Sequence, residues 1–125
     1  MKNIGVVGSR DWKDENQIYE YLNKYINSSM DVCIVSGGAK GVDSFAVKYA
    51  KENKLDYKEF LPKIKKGQNR FEIIKEYYRR NKEIADHSDV LIAFVNKDTG
   101  GTWNTIKHAK NKGIKINVIR EKSET

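Results

Sequence analysis

Apolar residues in this chain follow two rhythms that take turns from one end to the other. Ile4-Gly5-Val6-Val7, Val32-Cys33-Ile34-Val35 and the run Val90 to Val95 are short, continuous and rich in β-branched residues. That is the pattern of strands covered on both faces. Between the first two runs, Ile18, Tyr21, Leu22, Tyr25 and Ile26 fall at i, i+3, i+4, i+7 and i+8. The spacing puts them on one face of a helix, and Asp14 stands ahead of it as a cap. A second helix is predicted from about Asp43 to Asn53, with Val42, Ala46, Tyr49 and Ala50 turned inward. Tyr57 to Leu61 alternates loosely before Pro62 and predicts a short third strand, and the basic stretch Lys63 to Asn69 predicts a surface loop. The longest helix is expected from Phe71 to about Ala85, with Ile74, Tyr77, Tyr78, Ile84 and Ala85 as its inner stripe. Asn96 to Gly101 reads as a loop, Thr102 to Lys112 as a helix broken by Gly113, and Ile114 to Ile119 as a last strand.

Strand and helix thus alternate through five strands. The architecture this predicts is α/β: a three-layer, Rossmann-like domain with a five-stranded, mainly parallel sheet and helices on both faces. A length of 125 residues suits one domain, here residues 1–120, with 121–125 expected to fray.

Composition narrows the class. Twenty-four Lys+Arg stand against 17 Asp+Glu, a net charge of +7, which favours anionic partners. The longest apolar run is far too short to span a bilayer, and Ile4 to Val7 meets Arg10 too soon for a signal peptide. No membrane partner and a cytoplasmic location are therefore expected. The lone Cys33 excludes an internal disulfide and is expected to be a buried, inert thiol. His87 and His108 lie far apart with no Cys/His cluster around them, so no metal is expected and both read as structural or exposed.

In an open parallel sheet, ligands bind beyond the carboxyl ends of the strands, near the point where strand order reverses. That rule selects the loops after strands one, two and four. They read Gly8-Ser9-Arg10-Asp11-Trp12, Ser36-Gly37-Gly38-Ala39-Lys40-Gly41-Val42-Asp43, and Thr99-Gly100-Gly101-Thr102. Glycine lets a backbone turn sharply and approach a ligand closely, and the helix that follows offers unpaired N–H groups with partial positive charge. Arg10 and Lys40 add formal charge, which suits a phosphate. The plainer account is that the glycines only make tight turns, and three such loops at one sheet end weigh against it. None is a standard nucleotide fingerprint: the second lacks the six-residue dinucleotide spacing, and no Gly-Lys-Ser/Thr is present. Ordinary hydride transfer and ATP hydrolysis are disfavoured.

Five other positions have two readings each. Asn81 lies along the apolar stripe of its helix, where it either bonds a loop backbone or touches the ligand. Arg80 either grips a carboxylate or phosphate with its planar fork or is a solvated surface residue. Asp43 is by default a helix cap, and alternatively accepts ribose hydroxyls. Trp12 and Trp103 either stack on a base or pack.

Taken in order, Gly8-Ser9-Arg10, Ser36 to Asp43, Arg80-Asn81 and Gly100-Gly101-Thr102, with Ala109 and Gly113 on the last helix, resemble the SLOG superfamily. This Rossmann-like group includes DNA-processing Smf proteins and the lonely-guy phosphoribohydrolases, and the chain is most similar to its small YspA/YpsA-related branch. The resemblance implies a nucleotide or nucleotide-derived ligand at the ends of strands one, two and four and no established reaction, which leaves a sensor role open beside turnover. The implied ligand-binding residues are Gly8, Ser9, Arg10, Ser36, Gly37, Gly38, Lys40, Gly41, Asp43, Arg80, Asn81, Gly100, Gly101 and Thr102. No cofactor is required. In the phosphoribohydrolases, and in the similar nucleoside deoxyribosyltransferases, a glutamate three residues after the Gly-Thr threonine carries the N-glycosidic chemistry. Here that position is Thr105, and the loop reads Gly-Gly-Thr rather than Gly-Gly-x-Gly-Thr. A hydrolase of an N-glycosidic or phosphate bond would need another carboxylate, Asp43 or Asp11.

A third reading starts from charge. Residues 63–82 carry eight Lys/Arg and two Glu, a net of +6, and residues 107–122 a net of +5. Clustered positive charge favours polyanions, and Smf-type relatives bind single-stranded DNA. Tyr77, Tyr78 and Trp103 would supply stacking faces, although core packing has the better claim on the two tyrosines. A homodimer is suggested by the resemblance alone.

Overall fold

The computed structural model describes residues 1–98 and 100–122. Nine elements alternate: β1 (Lys2–Gly8), α1 (Glu15–Tyr25), β2 (Val32–Ser36), α2 (Val42–Glu52), β3 (Asp56–Glu59), α3 (Arg70–Asp86), β4 (Val90–Val95), α4 (Gly101–Lys112) and β5 (Lys115–Arg120). The strands form one sheet in the order β3-β2-β1-β4-β5, and every described pairing is parallel. The order reverses between β1 and β4, where Gly8 lies opposite Phe94. That junction is the switch point at which α/β sheets open a crevice.

The central strands bury both faces. Ile4 and Val6 of β1, Ile34, Ile92 and Phe94 share one core with Ile18 and Leu22 of α1 and Val42, Ala46 and Ala50 of α2. Val7, Val35, Leu91, Ala93 and Val95 point the other way, against Ile84 and Ala85 of α3 and Ile106 and Ala109 of α4. This is the strand period of two seen from both sides, so a substitution on β4 disturbs a helix layer whichever way it points. The edge strands differ. All four residues of β3 are exposed, and β5 is half-covered. The third strand is shorter than expected and starts one residue earlier, at Asp56. Phe60 leaves the ladder to cover the second core while Leu61 is exposed.

Local signals end the helices where the sequence places them. Asp14 accepts from the Gln17 N–H at the head of α1. Asn69 and Glu72 form a reciprocal capping box on α3. Gly113 closes α4 in the left-handed conformation at φ 83°. No helix among the described residues is long and apolar enough to cross a membrane.

Two expectations need correction. The apolar stripe of α3 is not an inner stripe throughout: Ile84 and Ala85 are buried, but Ile74 and Tyr78 are exposed and Tyr77 is half-buried. The reason is length. Seventeen residues of helix span about 25 Å, whereas the six of β4 span about 20 Å, so the first turns of α3 overhang the carboxyl edge of the sheet. Glu121 and Lys122 are not frayed. The Glu121 carboxylate accepts from the Lys13 and Asp14 N–H groups and from Asn96 Nδ2, and the Lys122 N–H donates to Gln17 Oε1. Thr99 and residues 123–125 of the expected loop and tail lie outside the described residues.

Candidate functional site

The carboxyl ends of β1 and β4 open into a cleft of about 480 Å³. Its floor is Val7 to Asp11 with Asp43, one wall is the overhanging half of α3, and the other is Gly100 to Thr105 at the head of α4. The volume falls within the roughly 300–1,000 Å³ of small-ligand sites.

The loop after β1 acts as a junction. Ser9 N–H donates to Phe94 O (3.0 Å), Ser9 Oγ accepts from Asn96 N–H (3.1 Å), and Ser9 O accepts from Val42 N–H (3.3 Å). One residue thereby fixes β1 to the loop after β4 and to the first turn of α2. Beyond it, Arg10 is exposed at the cleft, its guanidinium 5.5 Å from the centre of the Tyr77 ring. Arg80 approaches the same ring at 5.7 Å. Tyr77 thus orients Arg10, a cation held at the mouth by an aromatic face. Asp11, on the rim, pairs with Lys97 at 3.0 Å. Hydrogen bonds from Lys97 and Asn96 hold its carboxyl below the usual range.

The loop after β2 is fastened from inside. Ser36 Oγ donates to Asp43 O (3.1 Å) and accepts from Gly38 N–H (3.2 Å). Asp43 Oδ2 accepts from Ala39 N–H at 3.3 Å. Arg80 is 6% exposed, and its Nη1 donates to Gly37 O (2.6 Å) and Phe60 O (3.5 Å). The solvated-surface reading of Arg80 is therefore wrong: the guanidinium is committed to two carbonyls. Asp43 does not cap α2 either. Gly41 is the N-cap, at φ 75° and with no side-chain bond, because the chain must pass so close to Ser9 and Arg10 that a Cβ would lie 2.5 Å from the Arg10 carbonyl oxygen. Asp43 instead sits inside the first turn, 5% exposed, with Oδ1 buried and unpartnered. Burial pushes its carboxyl up to about 7, against the pull of the Ala39 N–H and the Arg80 and Arg10 charges.

Asn81 takes the backbone-bonding role. Its Oδ1 accepts from Arg80 Nε (3.1 Å), and its Nδ2 donates to Gly101 O (3.3 Å) and Asn104 Oδ1 (3.2 Å), which ties α3 to the head of α4. Thr105, 2% exposed, turns its hydroxyl back to Gly101 O. The sequence of α4 contains no carboxylate. Gly100 (φ 117°) and Gly101 have no atom within 4 Å of where a Cβ would sit.

Of the fourteen residues read as ligand-binding, Gly8, Ser9, Arg10, Asp43, Arg80, Asn81, Gly100, Gly101 and Thr102 line the cleft. Ser36, Gly37 and Gly41 lie behind it as scaffold, while Gly38 and Lys40 face a separate shallow depression beside α2. Trp12 packs in the core, edge-on to Phe94, with its Nε1 on Asp14 O. Trp103 bonds Lys97 O beneath the Arg120 guanidinium. Cys33 is half-buried rather than buried, and desolvation pushes its thiol up. His87 bonds Glu83 O through Nδ1. The wall of Ile74, Tyr77 and Tyr78 went unread as a wall. Its signal was a predicted helix too long for the strand that follows it.

A family model described as the YspA, cpYpsA-related SLOG family matches residues 3–67. The chain belongs to that family. In this SLOG chain the match runs from β1 through β3 and ends before α3, so it contains the first two loops and not the wall or the head of α4. The chain is 26% identical over 118 residues to the Gene 61 protein of Mycobacterium phage D29, covering 93% of this chain and 94% of that one. Its fold is similar to DNA processing protein A (DprA) from Streptococcus pneumoniae, with a TM-score of 0.76 and 19% identity over 98% of this chain. The SLOG chain spans about half (51%) of that protein. It is also similar to the DprA of Helicobacter pylori, whose structure concerns a single-stranded DNA binding mode (TM-score 0.71, 18% identity, 97% of this chain and 66% of that one).

Proposed function

We propose that the cleft binds a nucleotide or nucleotide-derived ligand, with its phosphate at the head of α4 and beside Arg10. The observation that carries this reading is the convergence of two unrelated positive features on one cleft. The N-terminus of a twelve-residue helix, begun by two glycines with open space around them, faces the same volume as an exposed arginine steadied on Tyr77. Backbone N–H groups at a helix start favour an anion, and a guanidinium adds charge-assisted bonds. Tyr77 and Tyr78 line the same cleft and offer aromatic faces to a base.

Thermal unfolding against a panel of nucleotides, dinucleotide signals, ADP-ribose derivatives and short single-stranded DNA, at two salt concentrations, tests this. A ligand at about 100 times its Kd adds roughly 2.7 kcal/mol, a rise in Tm of about 10 °C for a domain of this size. A salt-insensitive shift with one small nucleotide supports the cleft. No shift with any member of the panel counts against it.

A second reading, single-stranded nucleic acid, draws support from one surface. Phe71 is 80% exposed and Tyr78 49%, and they lie seven residues apart along α3 beside Lys63, Lys65, Lys66, Arg70 and Lys75. The charge is weaker than the sequence count suggests. Arg79 pairs with Glu76 and Glu83, and Lys82 with Asp86. Through residue 86 the segment carries eight Lys/Arg and four acidic residues, a net of +4. A shift only with DNA, lost at high salt, is the outcome this reading requires.

A further inference from the structure

Among the described residues Asp43 is the one buried carboxylate at the cleft, and its two oxygens are treated differently. Oδ2 accepts from the Ala39 N–H, whereas Oδ1 is buried without a partner. A buried acceptor with no hydrogen bond is costly, and such groups in folded proteins generally have an assigned partner or a function. Among the described residues no protein group closes a hydrogen bond to Oδ1, although the Gly8 backbone amide faces the carboxylate. Ser36 spends its hydroxyl on the Asp43 backbone carbonyl, and Arg80 spends Nη1 on Gly37 O and Phe60 O. The missing partner is therefore a group that enters the cleft.

We propose, resting on the nucleotide reading of the cleft, that Asp43 Oδ1 accepts a hydrogen bond from a sugar hydroxyl of the ligand, and that this docking holds Asp43 in its ionised form, so that any proton it carries when free leaves to solvent. The chemistry favours a donor over an acceptor. The charged groups facing Asp43 are Arg80 from α3 and Arg10 from the loop after β1, and the backbone amides of Ala39 and Gly8 add to them. All four favour the carboxylate, and burial alone opposes it. One donor at Oδ1 completes the shell of the ionised form, and a charge-assisted bond is roughly twice as strong as a neutral one. The ligand this selects is bipolar: an anion for Arg10 and the head of α4, and a free hydroxyl for Asp43. A sugar phosphate joins those two groups.

The test is calorimetric titration of the full chain with AMP and with 2′,3′-dideoxy-AMP at pH 6, 7 and 8, in buffers of contrasting ionisation heat. With Asp43 half-protonated near pH 7 when free, AMP affinity should rise about tenfold from pH 6 to pH 8 beyond the change seen for Asp43→Asn. The phosphate's own second ionisation, at about pH 6, affects both proteins alike. Net proton release on AMP binding should exceed that of the variant in the acidic half of the range. Dideoxy-AMP should bind the unaltered protein more weakly and without the extra pH dependence, a comparison that stands even if Asp43→Asn does not fold. AMP binding with the same pH profile in both proteins, or equal affinity for the dideoxy compound, overturns the role of Asp43 and leaves the cleft intact. An affinity that falls with pH only when Asp43 is present makes the group a donor and overturns it too. No binding of either compound at any pH overturns the inference, whereas the reading beneath it falls only if the whole nucleotide panel also fails to shift Tm.

Discussion

Two glycine loops look alike in the sequence and behave differently in the fold. In the loop after β2 the glycines are crowded by the protein although Gly38 and Lys40 reach solvent: Gly41 presses on the backbone of Ser9 and Arg10, and a Cβ on Gly37 would lie 2.8 Å from Asp43 Oδ2 and 2.9 Å from Arg80 Nη1. Gly100 and Gly101 after β4 have nothing within 4 Å. The first loop uses glycine so that parts of the protein can approach each other. The second opens onto space that no other element among the described residues fills. Of the two, the open loop is the one that offers room for a ligand, and the packed loop positions what lies beneath it.

The largest effect that distinguishes them is on stability. Gly41→Ala meets both a left-handed backbone and a carbonyl oxygen at 2.5 Å, and should cost about 2–4 kcal/mol in urea unfolding. A variant as stable as the parent would mean that the packed loop is slack. Arg80→Ala removes the donor to Gly37 O and Phe60 O and should cost about 1–3 kcal/mol, with Tm falling several degrees before any ligand is added. Unchanged stability with lost binding would return Arg80 to the ligand.

A subtler effect appears in the pH dependence. The Asp43 carboxyl in the folded protein, at about 7, lies above the ordinary 3.8. The folded state therefore keeps a proton that the unfolded chain has released. The contribution of this group to stability falls as pH rises from about 4 to about 7, by up to about 1.4 kcal/mol per pH unit, and is level above that. Asp43→Asn should flatten the fall, which unfolding curves at pH 4.5, 6 and 8 would read. The smallest change in stability belongs to the open loop. Gly101→Ala, at the first residue of α4, should stay within about 0.5 kcal/mol of the parent. Its added methyl should nevertheless weaken AMP binding measurably, and full retention of affinity would remove the head of α4 from the site.

The order of elements was legible because β1, β2 and β4 are continuous apolar runs and the first three helices repeat near 3.6 residues. Asp14 and Gly113 marked helix ends through chemistry that is local, whereas the Asn69 capping box emerged only with the fold. What was not legible depends on distance in space. Asp43 reads as a cap because aspartate near a helix start usually is one, and only the fold shows that Gly41 occupies that position while Asp43 turns inward. Ile74, Tyr77 and Tyr78 carry core spacing, yet a stripe records only that one face is apolar. Whether that face meets a sheet or overhangs it depends on the length of β4. The glycines of the two loops are identical letters, and their difference lies in neighbours that come from other elements.

The overhang of α3 also sets a gradient of motion across the cleft. From Arg80 onward the helix is locked to Gly37, Phe60 and the head of α4. Before Arg80 no residue of the helix is buried, and a segment with little buried apolar contact opens at far lower free energy than the sheet beneath it. Backbone amides of residues 73–78 should therefore exchange with solvent well ahead of those of 82–86, although one continuous helix carries both. The wall of Ile74, Tyr77 and Tyr78 should therefore yield more readily than the floor beneath it, and a molecule bound in the cleft should register as slowed exchange along those two turns.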